Sequence, residues 1–206
     1  MTNVSHIVNG LLALQTKYAT TYRAMTTAER YNGLIKSGLI QSYSPDQEVF
    51  REPLIEHVGH LPIIATYLYQ FVEKKRDIDL GKALTMLAIH DIGETEAGDV
   101  ISYSKTKELE RSELEFSKQL IPKELIGYFN EFQENHTFSA KFANTVDNIA
   151  PLLHDLVLPE ITIERFNFFS FDTDKIVDKK RTFFEWDSVL IKIFDYIIAE
   201  YRKIGH

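Results

Sequence analysis

Ala83-Leu84-Thr85-Met86-Leu87-Ala88-Ile89-His90-Asp91 is the stretch that decides how this 206-residue chain is read. From Leu80 to about Ile92 the residues are apolar nearly all round, and a helix apolar on every face belongs inside a structure. The run nevertheless ends on an imidazole and a carboxylate, groups that are costly to bury unless they are paired or bound to a metal. The spacing therefore predicts a central, buried helix that delivers two polar groups into an interior.

Helical periodicity extends outward in both directions. Ser5 precedes a pattern of Ile7, Val8, Leu11, Leu12, Leu14, Tyr18 and Tyr22 that predicts a capped amphipathic helix to about Ala24. Thr26-Thr27-Ala28-Glu29 offers a capping box for a second, short helix that Gly38 stops. Residues Gln41 to Pro53, around Ser44-Pro45-Asp46, read as a loop. Leu54 to Glu73 carries a one-faced apolar pattern, with Pro62 expected to kink the helix or mark its first turn. A charged helix is expected from about Thr106 to Leu120, one beginning at Pro122, and one from about Ser139 to Leu156. Leu158 to Asp172 reads as irregular and aromatic, and helical periodicity resumes from Asp174 to Ile204. With only 9 Gly and 6 Pro, too few for a fold that must turn every ~10 residues, the reading is all-α. No repeat, low-complexity tract or linker interrupts it, so residues 1–206 are expected to form a single helical domain.

Composition narrows the function. Hydrophobic residues at 44% and charged residues at 26% are ordinary for a globular protein, which excludes a disordered chain. A net charge of −7 argues against nucleic acid or an anionic membrane as the main partner. With no cysteine there is neither a disulfide nor a thiolate zinc site, so any metal must sit on nitrogen and oxygen. The chain has no basic-then-apolar leader and no run of ~18 apolar residues, and a cytoplasmic location is expected.

The His-Asp dipeptide means little alone, since His154-Asp155 repeats it. Context separates the two. Asp147 is a second anomaly, a carboxylate between Val146 and Ile149-Ala150 on a helix whose other inward positions are Phe142, Ala143 and Leu153. Buried carboxylates on separate helices call for a shared cation. With His57 and His90, Asp91 and Asp147 make a donor set suited to Mn, Fe, Co, Ni or Zn, with positions left for water and substrate. Glu94 stands four residues after His90, on the same face if the helix continues, and Asp99 follows on a flexible loop; both suit proton exchange. Taken singly, each has a plainer reading. His57 fits a hydrogen-bonded core histidine, Asp147 a salt bridge to Lys141, Glu94 and Asp99 loop caps, and Arg51 a surface ion pair.

Arg51-Glu52-Pro53-Leu54-Ile55-Glu56-His57, His90-Asp91-Ile92-Gly93-Glu94 with Gly98-Asp99, and Ser139-Ala140-Lys141-Phe142 with Val146-Asp147-Asn148 together resemble the HD-domain phosphohydrolase superfamily, nearest its 5′-deoxynucleotidase branch. The similarity runs from about residue 38 to 155. It implies an HD-domain helical bundle, here with an additional N-terminal helix and a long C-terminal helix, one divalent metal, and hydrolysis of a small phosphomonoester such as a deoxynucleoside 5′-monophosphate. By the resemblance, His57, His90, Asp91 and Asp147 match the metal ligands, and Glu94 and Asp99 match acids that assist proton transfer. The branch's Arg-Trp pair is absent: Leu39-Ile40-Gln41-Ser42-Tyr43 stands there, leaving Arg51 as the candidate substrate clamp. His60 replaces an arginine frequent three residues after the first ligand. Two other classes remain open, a metal-retaining regulatory domain without turnover and a helical interaction module without metal. His60 and His136 are candidates for a second metal, but one metal is favoured because only His136 lies between the His-Asp pair and the last Asp. The aromatic residues Phe166 to Phe171 and the extra N-terminal helix suggest a homodimer.

Overall fold

The computed structural model describes residues 4–40, 50–100, 105–157 and 159–204, and helices dominate them as the all-α reading requires. In chain order they are α1 (Val4–Thr20), strand β1 (Tyr22–Thr27), α2 (Glu29–Lys36), strand β2 (Arg51–Pro53), α3 (Leu54–Tyr69), α4 (Leu80–Ile89) and α5 (Glu94–Ala97). There follow α6 (Lys107–Leu120), α7 (Ile126–Glu134), α8 (Phe138–Val157), α9 (Pro159–Phe168), α10 (Thr173–Lys180) and α11 (Ser188–Lys203). Among the described residues no helix is long and apolar enough to cross a membrane.

The core forms around α4 and α8. Ala83, Met86 and Leu87 of α4 are sealed from solvent against Ala140, Ala143 and Val146 of α8, and Leu61, Ala65 and Leu68 of α3 join the same cluster. Full burial of a Leu or Met side chain contributes about 1.5–3 kcal/mol, so this contact fixes the relative positions of the three helices that matter for the site. Asp79 caps α4, its Oδ1 accepting from the Lys82 amide at 3.0 Å, while its own amide donates to Ser139 Oγ of α8 at 2.9 Å. The two helices are thus registered by packing and by a polar tie.

Helix α4 stops at Ile89 rather than Ile92. His90 to Gly93 form a turn, and α6 lies directly over it. A Cβ on Gly93 would stand 2.3 Å from both the Glu113 carbonyl oxygen and Ser117 Oγ. Glycine is required here by close approach, because its φ of −64° is one that any residue adopts.

Elsewhere the structure departs from the sequence reading. Helix α1 ends at Thr20, and Tyr22–Thr27 instead pair antiparallel with Arg51–Pro53, the last part of the expected loop. Aromatic and β-branched residues (Tyr22, Thr26, Thr27) favour an extended chain, and Pro53 holds the N-cap of α3 extended. Ser5 falls inside α1, and Ala28 rather than a threonine side chain stands at the start of α2, with no side-chain cap. The turn expected at Ser44-Pro45-Asp46 lies outside the described residues. Pro62 sits within α3, past its first turn. Pro122 opens a turn, and α7 begins only at Ile126. Within the segment expected to be irregular, Pro159–Phe168 is helical, with Ile161, Thr162, Arg165 and Phe166 on its buried face, a stripe concealed in sequence by the surrounding aromatics. The periodicity from Asp174 to Ile204 is two helices rather than one. Asp187 ends the first part by capping α11 through the Val189 and Leu190 amides, while its other oxygen accepts from the Glu73 amide at 2.9 Å.

Gly93→Ala should lower stability by about 1–3 kcal/mol in a urea titration, because α6 must lift off the turn. Gly127→Ala, a helical glycine with open space where the methyl would go, should leave the midpoint unchanged or raise it slightly.

Candidate metal centre

His57 comes from the first turn of α3, His90 and Asp91 from the turn that ends α4, and Asp147 from the middle of α8. One donor atom from each lies within 4.8 Å of all the others. His57 Nε2 is 3.2 Å from Asp147 Oδ1 and 3.5 Å from Asp91 Oδ2; His90 Nε2 is 3.3 and 3.1 Å from the same two oxygens. Ligands held ~2.0–2.2 Å from one ion are separated by roughly 2.9–3.5 Å, so these four atoms are spaced as a cation's donors are. His90 Nδ1 faces the Leu87 carbonyl oxygen at 2.9 Å, which fixes a ring proton there and turns Nε2 toward the two carboxylates.

Electrostatics point the same way. Burial disfavours a charge on His90, yet Asp91 and Asp147 outweigh it and hold its pKa well above the usual histidine range. Burial likewise works against ionising Asp91 and Asp147, and His90 reverses it, holding both carboxyls below their usual range. His57 goes the other way, lowered by burial and by the charge of Arg23. Two carboxylates therefore draw on one imidazolium proton, a demand that a divalent cation meets more fully.

Arg23, on β1, is the residue that sequence reasoning missed. Its Nη1 donates to Asp91 Oδ2 at 2.8 Å and Glu94 Oε2 at 2.9 Å, and its Nε lies 3.5 Å from Asp99 Oδ2. Asp99 also accepts from the Ala24 amide at 2.6 Å. Because α4 does not continue, Glu94 reaches the site from the start of α5, not along one helical face with His90. It is buried, and burial foremost, then Asp91 and Asp99, push its pKa well above the usual range against the opposing pull of Arg23.

A cavity of about 260 Å³ opens beside the cluster, with Asp91, Asp147, Glu94 and Asp99 in its wall. Arg51 is not among its described lining residues; the cations there are Arg23, Lys105, Arg165 and Lys180. Lys105 pairs with Glu113, and Arg165 with Asp155. Lys180 Nζ instead meets neutral oxygens, Asn148 Oδ1 at 3.1 Å and its carbonyl at 3.3 Å, and burial lowers its pKa to about 8 despite Asp147. Phe166 and Phe171 line the same cavity, and Phe166 also stacks on Tyr201 at 5.9 Å, so this part of the aromatic run is interior. His136 is exposed and away from these groups.

A family model described as HD domain matches residues 36–185. The chain belongs to the HD domain family. The match continues past the expected motif core, taking in α9 and α10 and with them Lys180. No curated protein matches the chain. Among solved structures, a "predicted metal-dependent phosphohydrolase" from Magnetospirillum magnetotacticum shares the HD domain chain's fold with a TM-score of 0.74 at 21% identity, over 98% of this chain and 96% of that one. A conserved hypothetical protein from Pyrococcus furiosus follows at a TM-score of 0.53 and 20% identity, covering 94% and 98%.

Asp147→Asn removes one of the two carboxylates in this HD domain's donor set. Titration with Mn²⁺ followed by electron paramagnetic resonance should show affinity at least ~100-fold weaker than in the unaltered chain.

Proposed function

We propose that the protein is a metal-dependent phosphohydrolase that cleaves a small phosphomonoester of the deoxynucleoside 5′-monophosphate type. The observation that carries this reading is the convergence of two imidazoles and two carboxylates, the carboxylates in the wall of a cavity that also holds a half-buried lysine and a buried carboxyl. A divalent ion on His57, His90, Asp91 and Asp147 would supply positive charge for the phosphoryl group and a nucleophile from water near neutral pH.

The chain's own residues divide the remaining work. Lys180, with no carboxylate directly against its Nζ, offers its charge to the phosphate, the role expected of Arg51. Glu94, whose pKa is raised by burial and its acidic neighbours, is the acid placed to protonate the leaving alkoxide oxygen. Asp99, anchored by the Ala24 amide, keeps a second acid beside it. The guanidinium of Arg23 bridges Asp91 and Glu94 and offsets the repulsion between the two carboxyls. The same contact is the observation that favours a regulatory domain without turnover, since Arg23 already occupies the acids that chemistry needs.

Phosphate release from a panel of nucleoside monophosphates and sugar phosphates, with Mn²⁺ or Co²⁺ present, decides between the two. Turnover is expected on at least one deoxynucleoside monophosphate, with Glu94→Gln lowering kcat by about 10²–10⁴-fold. No release from any compound while metal is bound would sink the enzyme reading. Lys180→Met should lower kcat/KM by about 10–100-fold, the loss of one charge-assisted hydrogen bond to the phosphate.

A further inference from the structure

We propose that Glu52, His60 and His154 form a second cation site, separate from the His57, His90, Asp91 and Asp147 cluster and suited to a nitrogen-preferring divalent ion such as Zn²⁺, Ni²⁺ or Co²⁺. One donor atom from each of the three lies within 4.8 Å of the other two. His154 Nε2 is 3.0 Å from His60 Nδ1 and 3.9 Å from Glu52 Oε1. The first is a hydrogen bond between the two rings, which an ion would replace; the second is too long for one. Ligands on a tetrahedral ion stand ~3.4 Å apart, so an ion here needs shifts of about half an ångström between His154 and each of the other two donors.

The fold explains why these residues meet. His60 follows His57 by one turn of α3, and His154 follows Asp147 by two turns of α8, so each pair shares a helix face. The packing that brings His57 to Asp147 therefore brings His60 to His154 as well. Glu52 enters from β2, immediately before the Pro53 that starts α3. An ion at this point would bind a strand and two helices to one another.

Its chemistry differs from that of the first cluster. Two imidazoles and one carboxylate is a ligand set that zinc takes with a fourth position left to water, whereas the pair of aspartates in the first cluster gives it more oxygen character. Glu52 and His154 are buried, while His60 is partly exposed and provides the way in. Burial, then His60, lowers the His154 pKa to about 4, so the ring is in the neutral form that ligates. Arg165, whose charge is felt at His154, is paired with Asp155. Glu52 Oε2 also lies 3.8 Å from His57 Nδ1, so the two sites share a neighbour, and filling the second would reorient a group that faces a ligand of the first.

The test is metal content. The full chain, stripped with chelator, is equilibrated with excess Zn²⁺ and washed, and its metal is counted by mass spectrometry. Two ions per chain are expected. His60→Asn and His154→Gln should each leave one, Asp147→Asn should leave the other, and combining Asp147→Asn with His60→Asn should leave none. His60, being partly exposed, tolerates substitution even where His154→Gln fails to fold, and a crystal of the unaltered chain grown with Zn²⁺ should show an anomalous peak among the three side chains. A single ion per chain that Asp147→Asn abolishes, or two ions that neither histidine substitution reduces, would overturn the proposal, as would absence of that peak. The phosphohydrolase reading fails independently, on phosphate release.

Discussion

The site depends on negative charge at the point where an apolar helix ends. Asp91 and Asp147 face two imidazoles across 3.1–3.5 Å at the end of α4, within reach of the most tightly packed part of the core. A buried ion cluster of this kind contributes little to stability, because desolvating the charges costs about as much as their attraction returns. The alignment must come from elsewhere, and it comes from the packing of α3, α4 and α8 through Leu61, Ala65, Met86, Leu87, Ala143 and Val146. Hydrophobic burial holds the charges in place, and only a cation offsets what holding them costs.

The short sheet extends this arrangement. By carrying Arg23 against Asp91, Glu94 and Asp99, β1 attaches the N-terminal segment to the acidic turn, and β2 places Glu52 behind His57. The guanidinium repels any cation bound beside Asp91 and, after burial, lowers the His57 pKa, yet without it three carboxyls would crowd one another. His90 and Arg23 hold the Asp91 carboxyl low, while burial, Asp91 and Asp99 raise Glu94 against the pull of Arg23.

How much of this was legible in the sequence follows from the range of the forces involved. The apolar run into His90-Asp91 and the isolated charge of Asp147 could be read because burial is a local pattern. So could α6 and α8, whose stripes are clean. Arg23 could not, since its importance lies in three acids about seventy residues away and the surrounding periodicity extended α1 over it. Lys180 lay inside what read as one long helix, broken in fact by the Asp187 cap. Arg51 is the candidate clamp only because the Arg-Trp pair is missing, and the strand that carries it does not set it among the described lining residues of the cavity.

The two ring nitrogens of His57 show how site and scaffold are joined. Nε2 faces Asp91 and Asp147, so a lone pair aimed at a shared ion requires the ring proton on Nδ1, toward Glu52. His90 meets the same requirement through a main-chain carbonyl, fixed once α4 is folded. On the His57 side stands the Glu52 carboxylate, 3.8 Å from Nδ1 and too far for a direct hydrogen bond, which also lies 3.9 Å from His154. One imidazole is therefore held rigidly by its own helix, whereas the other faces a group that β2, α3 and α8 position jointly. A shift of Glu52 would therefore be felt at His57 and not at His90, whose ring is tied to its own helix.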